Sequence, residues 1–328
     1  LDGICDVPGV RAGHATDREG LTGCTAVVFD GPAVVGVDVR GSAPGTRETD
    51  RLAPTASVRD THALLLTGGS AFGLAAADGV VRLLEEQGRG LDLGVARIPL
   101  VSAAVIFDLM VGAPAARPDA AMGYEAALSA RSGKLDRGSV GVGTGATVGK
   151  VLGLERAMKG GVGGVSTVLE GGATVAALAV VNAFGDVRDS GSVIAGPRLE
   201  DGTPGDTVAL LERAASGAGQ GENTTLGIIV TDATLDKTEA TKVARMAHDG
   251  LARAVWPVHT GVDGDAIFAA SLGSTGEHEA ATDVVGVWAA WAMQEAVLDA
   301  VRSATGLPGI PGLGDRHRPG TRGSDNLE

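Results

Sequence analysis

Apolar positions fall into two patterns along the chain. Short unbroken runs of Val, Ile, Leu and Ala, bounded by Gly, Pro, Asn and Asp, predict buried strands over 63–66, 98–107, 165–169, 174–181 and 225–230. Two further runs flank Asp30-Gly31-Pro32 and predict a β-hairpin over 25–39, and Glu170-Gly171-Gly172 predicts another between its neighbouring strands. Helices are expected over 71–86, closed by Gly88, and over 119–130 and 206–215. Asp236 and Glu239 read as a capping box for a helix whose Ala240, Val243, Ala244, Ala247, Leu251 and Ala254 keep helical spacing. The last helix, 280–303, places Val284, Val287, Trp288, Trp291, Leu298 and Val301 on one side, with the Trp pair read as core or subunit interface. No fixed-period repeat and no linker interrupt this order. It predicts a single α/β domain, with hairpin-based, mixed or antiparallel sheets and helices outside.

Composition narrows the picture. The 328 residues are 44% hydrophobic but only 3% aromatic and include 52 glycines, so the core is built from small aliphatic side chains around a tightly turning backbone. A net charge of −13, with no basic cluster interleaved with aromatics, argues against a nucleic-acid partner. The apolar stretches 98–107 and 175–181 fall short of the roughly 20 residues a bilayer span needs, so no membrane association is expected. Cys5 and Cys24 show neither metal-ligand spacing nor a disulfide framework, and with no signal-peptide pattern the expected location is the cytoplasm.

Several stretches resemble reactive motifs and fail on spacing. Gly143-Thr144-Gly145-Ala146-Thr147-Val148-Gly149-Lys150 lacks both the first Gly and the final hydroxyl of a phosphate loop. Gly68-Gly69-Ser70-Ala71-Phe72-Gly73 has Phe72 where a nucleophile elbow needs Gly, so Ser70 reads as a helix N-cap. The segment from His259 to Asp265 has ligand types suited to a divalent ion but no third strong local ligand, and a solvated turn is the simpler reading. Gly221-Glu222-Asn223-Thr224-Thr225 is different: a Gly-rich polar segment, 214–222, runs into a rigid apolar strand, with two hydroxyls at its mouth. Self-cleavage between Asn223 and Thr224 would free an α-amine of reference pKa about 7.7–8.0, able to act as base for the Thr224 hydroxyl. Strand propensity alone also explains Thr-Thr at that position.

Together the stretches Asp38–Thr49, Gly68–Leu74, Gly143–Lys150, Val180-Val181-Asn182, Asn223-Thr224-Thr225 and His259–Asp265 resemble the DmpA/β-aminopeptidase family of self-processing hydrolases, which includes the nylon-oligomer hydrolases. The resemblance covers nearly the whole chain. It implies an αββα-type sandwich, like the N-terminal-nucleophile (Ntn) hydrolases but with different connectivity. It also implies self-cleavage into residues 1–223 and 224–328, ending in a Gly/Pro-rich tail from 306, and assembly into a homo-oligomer, a tetramer of cleaved protomers. No cofactor and no metal are implied. Thr224 is then the nucleophile, and Lys150 supplies positive charge beside the new amine. Asn182 donates to the oxyanion, while one of Asp263 and Asp265 orients the nucleophile and the other supports the first. These aspartates lie two apart and face opposite ways unless Gly264 bends the chain. Phe72, expected to line the substrate site, stands where some members carry Tyr. Family substrates span small aminoacyl amides and peptides, β- and D-residue amides or esters, and 6-aminohexanoate oligomers, so the acyl group stays open. The competing reading is a metal-dependent hydrolase or a non-catalytic binding protein with an intact chain.

Overall fold

A computed structural model describes residues 3–213, 223–273 and 278–317. The frame is one sheet of nine strands: β1 (Val10–Asp17), β2 (Thr22–Val39), β3 (Asp60–Thr67), β4 (Val101–Val105), β5 (Gly161–Val168), β6 (Thr174–Asn182), β7 (Thr224–Thr231), β8 (Ala266–Ser271) and the short Thr46–Arg47. They run in the order β5-β6-β7-β8-β2-β3-β4 and then Thr46–Arg47, with β1 added on β2. The pairs β7/β8 and β3/β4 are parallel and the rest antiparallel, a mixed sheet as expected. The β5/β6 pair is the predicted hairpin.

Residues 25–39 correct the hairpin reading, because they lie within one continuous strand of 18 residues, Thr22–Val39. Cys24–Val28 and Ala33–Val34 both pair with β3, separated by a register shift, and Val34–Val39 pairs with β8. Pro32 has no N–H to give to a ladder and lies in the bulge, so the polar tripeptide bends the strand and does not reverse it. This strand is shared by the two halves of the sheet. Their facing sides meet in a core that joins Val27, Phe29, Leu64 and Leu66 to Leu178, Leu226, Ile228 and Phe268.

The outer faces are covered by helices. Alternate residues Val175, Ala177, Ala179 and Val181 of β6, with Ile229 and Ile267, pack under α3 (Lys237–Ala254) and α4 (Thr282–Ser303). Ala26, Val28, Ala63 and Leu65 on the other half pack under α1 (Ala76–Glu86) and α2 (Ala120–Leu128). The result is the αββα layering expected, and burial on both sides explains why these strands read as unbroken apolar runs. Both long helices approach closely: a Cβ on Gly250 would lie 1.8 Å from the Ala290 carbonyl oxygen.

The Asp236/Glu239 capping box forms, and all six spaced apolar residues of α3 are buried. Helix α4 departs from the expected face. Leu298 and Val301 are buried, but Val284, Val287, Trp288 and Trp291 lie outward, the two Trp rings edge to face at 5.6 Å. By length and composition α4 is apolar enough to cross a membrane, which the shorter stretches are not, yet most of it is buried inside the molecule. Ser70 is not the N-cap predicted for 71–86: it starts a 3-10 turn, Ser70–Ala75, in a left-handed conformation (φ 53°), and the α-helix begins at Ala76. The predicted loop 214–222 and the tail beyond 317 lie outside the described residues. Residues 306–317 pack back on the body, with the Pro311 carbonyl accepting from the Lys159 N–H.

Candidate active site

Two segments converge on the start of β7. The antiparallel register pairs Thr224 with Asn182, the last residue of β6, and a bridge sets Asn223 beside Asp263. All four residues are buried. The bond between Asn223 and Thr224 is gripped from both sides. Asn223 N–H donates to the Val262 carbonyl at 2.8 Å, while the Asn223 carbonyl accepts from Gly264 N–H at 2.7 Å and from the Thr224 hydroxyl at 2.5 Å. The Gly264 N–H polarises this carbonyl, and the Thr224 hydroxyl lies directly against it. Gly264 must be glycine: a Cβ there would lie 2.5 Å from the Ala43 carbonyl oxygen and 2.9 Å from Thr224 Oγ1.

The Asp263-Gly264-Asp265 turn keeps its aspartates on opposite sides. Asp265 Oδ1 accepts from Thr225 N–H at 2.6 Å, and its Oδ2 meets the His259 ring Nδ1 at 2.7 Å and the His259 N–H at 3.1 Å. Asp263 turns toward the Thr260 hydroxyl (2.5 Å) and N–H (2.9 Å), with Phe184 N–H at 3.4 Å. Burial raises the Asp263 pKa and the neighbouring Asp265 charge adds to the effect. The loop after β2 locks this turn, since Arg40 and Gly41 N–H donate to the Asp265 carbonyl and Ala43 N–H to that of Asp263. The imidazole and carboxylates weighed as metal ligands thus bond one another and the backbone. Among the described residues no three His, Cys, Asp or Glu side chains are grouped to hold a metal ion.

Asn182 and Lys150 form a unit. The Lys150 ammonium donates to the backbone carbonyl and to Oδ1 of Asn182, each at 2.9 Å, and Thr147 N–H donates to the same Oδ1 at 3.1 Å. Asn182 Nδ2 donates to the Phe107 carbonyl at 3.0 Å, which fixes the amide and leaves one N–H of the side chain. The turn carrying Lys150 docks on the residues after Asn182 through Gly149 N–H to Gly185 and Lys150 N–H to Phe184. Burial of the ammonium pushes the Lys150 pKa down to about 7, while Asp263 and Asp108 pull it up.

Two charged groups here escaped the sequence reading. Asp108, just beyond β4, accepts from the Thr22 hydroxyl at 2.6 Å and Gly69 N–H at 2.7 Å, and burial raises its pKa. Lys159 is fully buried behind the Gly143–Lys150 turn. The signal available was a lone lysine and a lone aspartate beside apolar strands, which only the fold brings together. A cavity of about 210 Å³ opens beside Thr224, lined by Ala43, Pro44, Gly45, Ser70, Ala71, Val105 and Phe107. Phe72 is not among its walls: it is 58% exposed, with the Arg117 guanidinium 3.7 Å over its ring.

The comparisons agree with this architecture. The pattern of peptidase family S58 matches residues 2–313. An uncharacterised aminopeptidase of Mycobacterium tuberculosis is 42% identical, covering 99% of this chain and 100% of that protein. A 6-aminohexanoate-oligomer endohydrolase of Kocuria sp. (strain KY2) is 31% identical over 90% of this chain and 85% of its own length. The solved β-aminopeptidase of Burkholderia sp. superposes with a TM-score of 0.73 at 24% identity, covering 96% of this chain and 91% of that one. An L-aminopeptidase D-Ala-esterase/amidase of Ochrobactrum anthropi, described as a variant of the Ntn-hydrolase fold, gives 0.70 at 20% identity, with 94% and 89% covered. A family pattern spanning nearly the whole chain, and relatives above 30% identity over most of it, place the chain in peptidase family S58 as a hydrolase of amide bonds.

Proposed function

We propose that this chain cleaves itself between Asn223 and Thr224 and then hydrolyses small amides with Thr224 as nucleophile. The observation that carries the reading is the Asn223 carbonyl oxygen, held by Gly264 N–H at 2.7 Å with the Thr224 hydroxyl at 2.5 Å. Thr224 Oγ1 adds to the Asn223 carbonyl carbon, the C–N bond breaks, and the hydroxyl proton ends on the departing nitrogen. Water hydrolyses the resulting ester, which leaves a carboxylate on Asn223 and restores the hydroxyl. Residues 1–223 and 224–328 then form the working enzyme.

In turnover the new α-amine takes the hydroxyl proton as Thr224 attacks the substrate carbonyl. Lys150 in its charged form favours the neutral amine and stabilises the developing oxyanion, with the remaining Asn182 N–H as a second donor. Asp265 holds the peptide after Thr224 through Thr225 N–H, and so orients the nucleophile. Asp263 supports the same turn from its far side.

Among the described residues the cavity wall offers neither an arginine nor a lysine to clamp an anionic substrate, which favours short uncharged acyl groups. Relatives named as aminopeptidases and as a 6-aminohexanoate-oligomer endohydrolase bracket the candidates. The test is a panel of p-nitroanilides of L-Ala, D-Ala and β-Ala beside a 6-aminohexanoate oligomer, assayed on fully cleaved protein. Turnover of the oligomer alone selects endo-action, and turnover of L-aminoacyl anilides alone selects an aminopeptidase. No turnover of any member removes the small-amide proposal. We further propose that the exposed Trp288/Trp291 face of α4 joins copies of the cleaved protomer into a homo-oligomer.

A further inference from the structure

Lys159 has no part in the chemistry just described, yet it is among the largest fully buried side chains of the protein. Its ammonium donates to three backbone carbonyls of one turn: Gly143 at 3.1 Å, Thr144 at 2.8 Å and Ala146 at 2.6 Å. An ammonium has three N–H donors, so this set is satisfied only by the charged form, and a neutral amine would turn a lone pair toward a carbonyl oxygen. Three convergent carbonyls are also the kind of cradle that replaces the hydration shell of a monovalent cation.

The clamped turn is the one that builds the site. It continues into Thr147, whose N–H holds Asn182 Oδ1, and into Lys150, whose ammonium holds the same oxygen. Thr147 pairs with Lys159 on a two-stranded ladder, and Gly160 N–H donates to the Ala146 carbonyl, so the clamp and the turn share a backbone frame. We infer that Lys159 is a positioning residue: an internal cation that fixes the Gly143–Lys150 turn and thereby sets Lys150 and Asn182 against Thr224. The inference rests on the proposed roles of Lys150 and Asn182.

The charges facing these ammoniums make the role measurable. Asp108 supports Lys150 and Lys159, Asp263 supports Lys150, and the Lys150 charge disfavours that of Lys159, a Coulomb repulsion that acts equally in return. Burial pushes Lys159 down to about 7, but its three carbonyl acceptors oppose loss of the proton. Lys159→Met therefore removes a like charge and should move the alkaline limb of the kcat/KM profile to higher pH, while loosening the turn lowers kcat about 10²-fold with little change in KM. Asp108→Asn removes support from both lysines and should move the limb to lower pH.

The experiment measures kcat, KM and pH profiles of amide hydrolysis for cleaved wild type, Lys159→Met, Lys159→Ala and Asp108→Asn. Lys159→Ala is also assayed with added potassium or ammonium chloride, with lithium chloride as control. Expected are opposite limb shifts in Lys159→Met and Asp108→Asn, and partial recovery of Lys159→Ala by potassium or ammonium but not lithium. A folded Lys159→Met with wild-type kcat and an unmoved limb overturns the inference. If neither Lys159 variant folds, Asp108→Asn decides: an unmoved limb overturns it. An inactive wild type, or full activity in Lys150→Ala, instead removes the underlying reading of the site.

Discussion

At the residue scale the proposal predicts separable losses. Lys150→Ala and Asn182→Ala should each lower kcat/KM about 10²–10³-fold, the usual size for one electrostatic contact to a developing oxyanion. Because the two side chains share one hydrogen-bonded unit, the double variant should lose less than the product of the single losses, which steady-state kinetics on a double-mutant cycle measures. The Lys150 pKa is lowered to about 7, so its charge is present below that pH and lost as pH rises through it. The Thr224 α-amine works in the opposite sense, since it must be neutral to act as base, with a reference pKa of about 7.7–8.0 that a nearby cation lowers. The kcat/KM profile should be bell-shaped near neutrality, and Lys150→Ala should remove its alkaline limb. A limb that persists in Lys150→Ala assigns it to another group. Thr224 stood out in the sequence as a hydroxyl at the mouth of an apolar strand, whereas Asn182, Lys150 and the aspartate pair were singled out for catalysis only by the family resemblance. Asp108 and Lys159 were marked by neither. A single charged residue beside an apolar run reads as solvated until the fold closes over it, and here their sequence separation hides the shared electrostatics.

At the element scale, pattern reading found the strands that are buried on both faces and failed where local chemistry had two solutions. Asp30-Gly31-Pro32 satisfies a hairpin turn or a bulge equally well, and the pairing of Val34–Val39 with β8, a long-range contact, decided for the bulge. In α4 the apolar spacing was read correctly but the face was not, because the helix is apolar around most of its circumference and one stripe remains for solvent. The capping box of α3 was fully legible, since it is local. Asp236 accepts from Glu239 N–H at 2.9 Å and Glu239 returns the bond at 2.8 Å. Asp236→Ala should cost about 1 kcal/mol by urea denaturation while leaving kcat unchanged. A loss of activity without loss of stability would tie that helix end to the site instead.

At the scale of the whole molecule, the position of β7 would hold the two proposed chains together. It lies between β6 and β8 with every residue buried, so the proposed cleavage ahead of Thr224 would leave the small chain threaded through the sheet without a covalent link. The outward stripe Val284, Val287, Trp288 and Trp291 follows helical spacing on one face, a surface expected to be covered by another copy. Trp288→Ala with Trp291→Ala should lower the mass seen by light scattering while the circular dichroism spectrum holds. An unchanged mass places the interface elsewhere. The layer architecture was legible from the order of elements and from the family resemblance, but the sharing of β2 between the two halves of the sheet was not, since no local signal marks a strand that serves two layers.

The central claim is that the bond between Asn223 and Thr224 is the site of self-processing and that Thr224 performs it. Intact-mass analysis of purified wild-type and Thr224→Ala protein under denaturing conditions, followed over a long incubation, tests it most directly. Two chains from wild type, one ending at Asn223 and one beginning at Thr224, with only the full-length mass from Thr224→Ala, is the predicted result. Full-length wild type after prolonged incubation, or a cut at another bond, contradicts it.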